Sequence, residues 1–321
     1  MSDLLTPTPD GLYCPAGRFY IDPSKKVDRA VITHGHSDHA RSGLSSYLCA
    51  KPCVGILRRR LGKKINVTGQ DYGVSTTING VKVSFHPAGH VLGSAQVRVE
   101  HKGEVWVVTG DYKLEDDGIS GSFEPVKCHT FITESTFGLP IYRWRPQAEV
   151  AREINTWWRG NQALGKASVI YAYSLGKAQR LQSIVDPSIG PICVYKPIAE
   201  MNGAYLDEGV SLPPIADETK LKPDQPRPLI VAPASTEDCA WLRGFGPRST
   251  AFVSGWMRVR GGRRWGNFDR GFVMSDHVDW PDMLRAIEMT EAERVLVTHG
   301  YTDQTVRYLC EQGIHAKVLG E

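Results

Sequence analysis

Hydrophobic and polar residues alternate in short runs over the first 145 residues, and this pattern predicts short strands separated by turns. The predicted strands are Arg29–Thr33, Val81–Phe85, Gln96–Val99, Val105–Thr109 and Thr130–Thr133. Polar groups follow several of them directly: His34 follows the first, Asp111 the fourth and Glu134 the fifth. Polar groups at strand ends are typical of a sheet that presents functional loops.

Near residue 145 the pattern changes to strands that alternate with helices. Residues 146–158 place apolar side chains on one helical face, which predicts an amphipathic helix. Strands are predicted at 167–173, 192–195, 229–232 and 250–254, helices at 175–185 and 236–242, and a proline-rich loop at 212–228. This alternation predicts an α/β domain with a mainly parallel sheet.

The last part of the chain returns to strands that run into histidines. Strands are predicted at 272–275 and 294–298, each followed by a helix. The whole pattern predicts a first domain at 1–145, an inserted α/β domain at 146–270, and a segment at 271–321 that completes the first domain.

The composition is that of a folded protein outside the membrane. The chain has 321 residues, 41% of them hydrophobic, and no apolar run approaches the ~20 residues that span a bilayer. Its seven cysteines form no CxxC pair and no signal peptide is recognisable, which predicts a cytoplasmic protein. A net charge of +3 permits a polyanionic partner without requiring one.

The densest chemistry lies at residues 34–39, which read His-Gly-His-Ser-Asp-His. Three imidazoles and a carboxylate this close together are unlike a core feature, because each would need its own buried partner. Alternation points His34 and His36 to the same side of an extended loop, whereas Asp38 and His39 turn the other way. The pattern favours two adjacent metal ions; the alternative is a solvated histidine-rich loop.

This segment resembles the HxHxDH signature of the metallo-β-lactamase superfamily, and further motifs follow in that family's order. Pro87-Ala88-Gly89-His90 is similar to its third motif, and Gly110-Asp111-Tyr112 to the bridging aspartate at a strand end. The resemblance implies a two-metal site along one edge of an αββα sandwich. The implied ligands are His34, His36 and His90 for one metal, Asp38, His39 and His299 for the other, and Asp111 as the bridge.

The inserted segment resembles that of the β-CASP nucleases, a family within this superfamily. Residues 133–138, Thr-Glu-Ser-Thr-Phe-Gly, are similar to motif A, residues 275–277, Ser-Asp-His, to motif B, and residues 298–300, Thr-His-Gly, to motif C. Residues 172–179 are similar to a strand–turn–helix segment of the family. The resemblance covers essentially the whole chain and implies a metallo-β-lactamase αββα sandwich with an inserted β-CASP α/β domain.

The implied chemistry is phosphodiester hydrolysis. Two divalent metals acidify water and neutralise charge on phosphorus; imidazole and carboxylate ligands suit Zn²⁺, with Mn²⁺ as an alternative. Asp38 is a candidate for orienting the attacking hydroxide. His277 is the candidate general acid, oriented by Glu134, a role that Asp276 could share. Without the resemblance, His277 and Glu134 would be interpreted as a core histidine and a buried helix cap.

A basic and aromatic segment at 256–265 is a candidate nucleic-acid contact, because arginine pairs with phosphates and tryptophan stacks on bases. Its candidate residues are Arg258, Arg260, Arg263, Arg264 and Trp265. The alternative is a solvated loop. Ser174 and Lys177 begin a predicted helix whose N-terminus is a candidate phosphate site. The basic run at 58–64 is interpreted as a solvated helix face.

The sequence leaves three candidate functions. Residues 11–15 and 253–269 are most similar to the bacterial ligase-associated DNA exonucleases. That similarity implies an exonuclease of DNA repair, acting on single strands or ends, with an ATP-dependent DNA ligase and a helicase as partners. Resemblance to the crosslink-repair branch of the family favours 5′→3′ polarity. His299 instead fits the RNA-processing pattern, which makes an RNA-processing ribonuclease the second hypothesis. The third is a small-ester metallohydrolase or an inactive scaffold.

Overall fold

The computed structural model describes residues 3–222, 224–237, 239–259 and 268–321. The chain forms two compact units. The discontinuous unit consists of Met1–Arg143 and Asp276–Glu321, and the inserted unit is Trp144–Ser275. The chain therefore leaves the discontinuous unit once and returns to it.

The first sheet of the discontinuous unit comes from the N-terminal part of the chain. Among the described residues its strands are β1 (Thr6–Thr8), β2 (Gly11–Cys14), β3 (Phe19–Ile21), β4 (Ala30–Ile32), β5 (Tyr47–Ala50) and β6 (Val67–Gln70), in that spatial order. The first two pairings are antiparallel and the others parallel. Helix α1 (Cys53–Leu61) connects β5 to β6.

The second sheet combines residues from both parts of the unit. Its described strands are β7 (Ser75–Ile78), β8 (Val81–Pro87), β9 (Ala95–His101), β10 (Glu104–Val108), β11 (Thr130–Ser135), β17 (Arg294–Gly300) and β18 (Ala316–Val318). The spatial order is β18-β17-β11-β10-β9-β8-β7. Because β17 pairs in parallel with β11, the C-terminal segment lies beside the strand that carries Glu134.

Apolar side chains hold the sheets and helices of the discontinuous unit together in layers. Phe19, Ile21 and Val31 from the first sheet meet Phe85 and Trp106 from the second in one buried cluster. The other face of the first sheet packs on α1. The other face of the second sheet packs on α6 (Trp280–Thr290) and α7 (Thr302–Glu311). The order is helix, sheet, sheet, helix, so the candidate metal-binding motifs lie on a scaffold whose sheets are covered on both faces.

The inserted unit has a parallel sheet of its own. Its described strands are β12 (Ala167–Tyr171), β13 (Ile192–Val194), β14 (Leu229–Ala232), β15 (Arg248–Val253) and β16 (Arg270–Phe272), in the order β13-β14-β12-β15-β16. Its helices are α2 (Gln147–Ala163), α3 (Lys177–Ile184), α4 (Lys196–Asp207) and α5 (Ala240–Arg243), with short 3₁₀ turns at Glu218–Lys220, Ala234–Thr236 and Gly255–Arg258. One core packs α2 and α3 against this sheet.

The α/β class predicted from the sequence is confirmed. The inserted unit extends to Ser275, beyond the expected boundary at 270, because β16 pairs with β15 in its sheet. In the region of the helix expected at 236–242, the described residues form a 3₁₀ turn at Ala234–Thr236 and the short helix α5 at Ala240–Arg243. None of the described helices has both the length and the apolar character that a membrane crossing requires.

Candidate metal centre

The first group of candidate ligands gathers at three strand ends of the discontinuous unit. His34 and His36 follow β4, His90 follows β8, and Asp111 follows β10. Their ligand atoms all lie within 4.8 Å of one another. The Nδ1 atom of His36 is 3.0 Å from the Nε2 atoms of His34 and His90, and Asp111 Oδ2 is 3.5 and 3.6 Å from those two Nε2 atoms.

These spacings fit a metal ion. Ligand atoms bound to Zn²⁺ at 2.0–2.2 Å in a tetrahedron lie about 3.4 Å apart. The observed separations of 3.0–3.6 Å are close to that edge length. Three imidazole nitrogens and one carboxylate oxygen are also a donor set that suits Zn²⁺ and other divalent first-row transition metals.

Two glycines let the ligand loops approach one another. Gly89 has φ +75°, and a Cβ there would lie 2.2 Å from the carbonyl oxygen of Lys113. Gly110 has φ +57°, and a Cβ there would lie 2.6 Å from the side chain of Thr33. Gly89 therefore lets the loop after β8 rest on the loop after β10, and Gly110 lets the end of β10 rest on the end of β4.

The second group of candidate ligands, Asp38, His39 and His299, is more exposed to solvent than the first. Asp111 turns its other oxygen, Oδ1, to His39 Nε2 at 3.5 Å, and His39 Nε2 is 3.9 Å from Asp38 Oδ2. Asp38 is largely exposed, with 73% of its side chain accessible. His299 is also exposed, and its ring centroid lies 6.1 Å from that of His39. The ligand clusters found among the described residues include none of Asp38, His39 and His299, so the structure brings the predicted ligands of the second metal together less closely than those of the first.

Second partners fix the orientation of two ligands. His90 Nδ1 donates to the backbone carbonyl of Asp276 at 2.9 Å, and His39 Nδ1 donates to Asp22 Oδ2 at 2.7 Å. Asp22 also accepts the backbone N–H and the hydroxyl of Thr33. Each imidazole is thus left with Nε2 facing the centre, as metal-binding histidines usually are. Asp22 was not predicted from the sequence, although it follows a strand (β3) as other functional groups do here.

Arg60 braces the loop that carries the first ligands. Its Nη1 donates to the carbonyl of Gly35 at 2.5 Å and to that of Ala40 at 3.4 Å. The loop between these carbonyls is closed by a bond from Ala40 N to His36 O at 2.8 Å. The interpretation of the 58–64 run as a solvated helix face is therefore wrong for Arg60, although its neighbours Arg58 and Arg59 are exposed.

Protonation at the centre follows burial and charge. Burial and the neighbouring imidazoles hold the pKa of His34 well below its usual value, and burial lowers the pKa of His90 to about 3. Both are therefore neutral, which is the form that binds a metal. For His39, burial opposes protonation, but the charges of Asp111 and Asp22 raise its pKa to about 10.

Glu134 and His277 form a pair next to the first group. His277 Nδ1 is 3.0 Å from both oxygens of Glu134 and 4.0 Å from Asp111 Oδ2. Glu134 also accepts the backbone N–H of Tyr112 at 3.0 Å and the hydroxyl of Thr136. Burial opposes the charge on each member, yet their mutual attraction lowers the pKa of Glu134 and raises that of His277 to about 9. Such a pair keeps the half-buried imidazole of His277 protonated.

Comparison with known proteins gives relatives over all or part of the chain. No family model matches it. A probable DNA ligase from Opitutus terrae is 31% identical over 314 residues, which is 97% of this chain and 30% of that protein. Endoribonuclease ysh-1 from Neurospora crassa is 35% identical over 129 residues, 39% of this chain and 15% of that protein. Cleavage and polyadenylation specificity factor subunit 3 from Dictyostelium discoideum is 34% identical over 194 residues, 50% of this chain and 25% of that protein.

The chain belongs to the β-CASP family of the metallo-β-lactamase superfamily.

A solved structure supports the fold over most of this β-CASP protein. The crystal structure of a protein of unknown function from Enterococcus faecalis matches 93% of the chain and 81% of its own, with a TM-score of 0.60 and 12% identity. The chain spans less than a third of the curated relatives described above.

The candidate nucleic-acid contacts of this β-CASP protein lie in the inserted unit. Ser174 is partly buried and Lys177 is 5% exposed, with its Nζ 5.0 Å from the ring centroid of Tyr173. Tyr173 itself is 66% exposed and was not singled out from the sequence. Arg258 is exposed. The predicted contacts Arg260, Arg263, Arg264 and Trp265 lie outside the described residues.

Proposed function

We propose that this β-CASP protein is a two-metal-dependent DNA exonuclease that hydrolyses phosphodiester bonds in DNA repair. The observation that carries the proposal is the convergence of His34, His36, His90 and Asp111 on one point beside the Glu134–His277 pair. The Opitutus relative, a probable DNA ligase that matches along 97% of the chain, supports DNA as the substrate.

The architecture proposed for this function divides the molecule by its two units. The layered discontinuous unit corresponds to the metallo-β-lactamase αββα sandwich, and the inserted unit at Trp144–Ser275 to the β-CASP domain. The helix–sheet–sheet–helix order and the single interruption of the chain support this assignment.

The residues that would hold the metals form two groups, and each group faces a different carboxylate oxygen of Asp111. The proposed ligands are His34, His36 and His90 on one side, and Asp38, His39 and His299 on the other. The donor set suits Zn²⁺, with Mn²⁺ as an alternative. When bound, two such ions supply charge neutralisation for the phosphate and acidify water for attack.

Three side chains manage the protons of the proposed reaction. Asp38 is exposed at the centre, where its carboxylate orients the attacking water. His277 donates a proton to the departing sugar oxygen. Glu134 stabilises the protonated imidazole before that transfer. The 3.0 Å contacts between His277 and Glu134 support this division of roles.

Substrate binding is assigned to side chains that reach phosphates and bases. Ser174, Lys177 and Arg258 are the proposed contacts within the described residues, joined by Arg260, Arg263, Arg264 and Trp265. We infer 5′→3′ action on single strands or ends, and association with an ATP-dependent DNA ligase and a helicase. The match to one part of a probable DNA ligase supports the ligase as partner.

An RNA-processing ribonuclease is the second candidate function. Its support is the set of endoribonuclease relatives from fungi, which are 28–36% identical over 118–196 residues. His299, at the end of β17, fits the same interpretation.

The deciding experiment compares matched DNA and RNA strands. Purified protein with added Mn²⁺ or Zn²⁺ is incubated with single strands of one sequence, labelled at the 5′ or the 3′ end. We expect mononucleotide release from the 5′ end of DNA and none from a His34→Ala variant. Cleavage of RNA alone would establish the second candidate instead. Turnover of small phosphate esters without cleavage of either strand would favour a small-ester hydrolase.

A further inference from the structure

A cavity of about 250 Å³ lies in the discontinuous unit beside the metal centre. The side chains of its apolar walls are Leu12, Ile21, Val108, Ile132 and Leu319. Three of these, Ile21, Val108 and Ile132, belong to the buried cluster between the two sheets. The cavity is therefore an opening into the core between the sheets, at the ends of β3 and β10.

The rim of this cavity is shared with the candidate metal centre. Asp38, His39 and His299 line both. They are the groups assigned above to the second metal ion. A phosphate held at the centre would consequently have the mouth of the cavity beside it, and the group joined to that phosphate would be the one to enter.

One wall of the cavity is a preformed hairpin, β1–β2. The hydroxyl of Thr8 donates to the carbonyl of Gly11 at 2.7 Å and accepts the N–H of Asp10 at 3.3 Å. Gly11 has φ +133°, and a Cβ there would lie 2.9 Å from Cα of Pro23. Because these contacts hold the turn against the rest of the sheet, the wall exists before any ligand arrives.

We propose that this cavity is a base-binding subsite for the nucleotide that adjoins the scissile phosphate. Concave apolar sites with polar groups at one end bind ligands that are apolar at one end and charged at the other. A nucleotide has this form, and enzymes that act on nucleic acids receive unstacked bases in apolar pockets. The inference rests on the proposed nuclease function, since the phosphate is what brings the base to the cavity.

The test replaces single bases in the substrate. A single-stranded DNA is prepared with one tetrahydrofuran abasic site, placed in turn on either side of the bond to be cut. Under single-turnover conditions we expect cleavage to be about tenfold slower when the base on one side is missing, the scale of lost base contacts in single-strand binding.

Matched variants locate the effect. Leu12→Trp, which fills the cavity, is expected to slow cleavage of the intact strand to the abasic rate and to leave the abasic strand unaffected. Leu319→Trp fills it from another wall and is expected to act alike, whereas Val74→Trp, on an exposed residue of the same unit, is expected to change neither rate. This non-additivity would tie the missing base to the filled cavity.

The outcomes separate the subsite from the function. If the wild-type protein cuts intact and abasic strands equally at every position, the subsite is refuted while the nuclease function stands. If filling the cavity slows both strands by the same factor, the cavity serves something other than the base. Failure to cut any nucleic acid would refute the proposed function itself.

Discussion

The Nδ1 atom of His277 lies 3.0 Å from both carboxylate oxygens of Glu134, although the two residues are 143 positions apart. Glu134 is 1% exposed and His277 20% exposed, so the carboxylate has little water to stabilise its charge. The imidazolium ring of His277 is its compensating partner. The pair thus joins a strand end to the segment at which the chain re-enters the discontinuous unit.

Replacing Glu134 by Gln is expected to reduce cleavage at pH 8 by tenfold or more. The charge of Glu134 raises the pKa of His277, so its removal lowers that pKa. An acid must be protonated to act, and the alkaline limb of the pH–rate profile is therefore expected to move to lower pH. The measurement is single-turnover cleavage between pH 6 and 10.

A surface pair provides the control for this variant. Glu124 lies 2.9 Å from His86, outside the centre, and Glu124→Gln removes a carboxylate from a histidine in the same way. That variant is expected to keep the wild-type profile. An unshifted alkaline limb in Glu134→Gln would argue against His277 as the general acid.

Asp22→Asn is expected to weaken metal binding by about 10- to 100-fold, the usual cost of losing a partner that orients a metal-bound histidine. Asp22 accepts from His39 Nδ1 at 2.7 Å, and an amide cannot supply the same charge. Titration with Co²⁺, followed by its visible absorption, measures the affinity without any cleavage. The exposed Asp28→Asn is the control, and equal affinity in both variants would contradict the role of Asp22.

Arg60→Ala is expected to lower metal affinity about tenfold, because the carbonyls of Gly35 and Ala40 lose the guanidinium that spans them. Arg60→Lys is expected to recover part of the loss, since the ammonium keeps the charge but not the geometry with which Nη1 of Arg60 contacts both carbonyls. Arg59 offers a matched control on the same helix: its side chain is exposed and donates to the carbonyl of Gly55. If Arg59→Ala lowers the metal affinity as much as Arg60→Ala does, the effect comes from the loss of a positive charge and not from the contacts of Arg60 with the loop.

Much of this centre could be predicted from sequence because its ligands cluster in short motifs. Four candidate side chains lie within the six residues at 34–39, so their spacing is visible in the sequence. Glu134 directly follows the predicted strand at 130–133, and Asp111 comes two residues after the one at 105–109. Asp22 and Arg60 could not be found in this way. Asp22 acts on a residue 17 positions away and Arg60 on one 25 positions away, so their roles exist only after the chain has folded.

The fold shows the same limit. Long apolar strands such as β10 and β11 were predictable, whereas β1–β3, at three or four residues each, are too short to show alternation. Helix α4 was not predicted, although the proline in its first turn is a helix-start signal. These short elements form the hairpin wall and part of the inserted core, which are set by tertiary packing.

Removal of metal is expected to abolish cleavage reversibly. Dialysis against EDTA should leave a folded protein with a lower Tm, because ions that bind only the native state stabilise it by mass action. Addition of Zn²⁺ or Mn²⁺ should restore both Tm and activity. Asp111→Ala removes the carboxylate shared by both groups of ligands and should regain neither. Full activity in EDTA, or in Asp111→Ala, would refute the centre.

Tyr173→Ala is expected to weaken binding of single-stranded DNA about tenfold, the order found for the loss of one stacking side chain. Tyr173 is 66% exposed, and the neighbouring Lys177 places its Nζ 5.0 Å from the ring centroid, so an aromatic face and a cation stand together at the start of α3. Tyr173→Phe keeps the ring and is expected to bind as the wild type does. Leu206→Ala, at another exposed apolar residue of the inserted unit, is the control for nonspecific loss of surface. Since the proposed catalytic residues lie in the other unit, KM is expected to rise while kcat stays within about twofold of the wild-type value. A lower kcat with unchanged KM would place Tyr173 outside substrate binding.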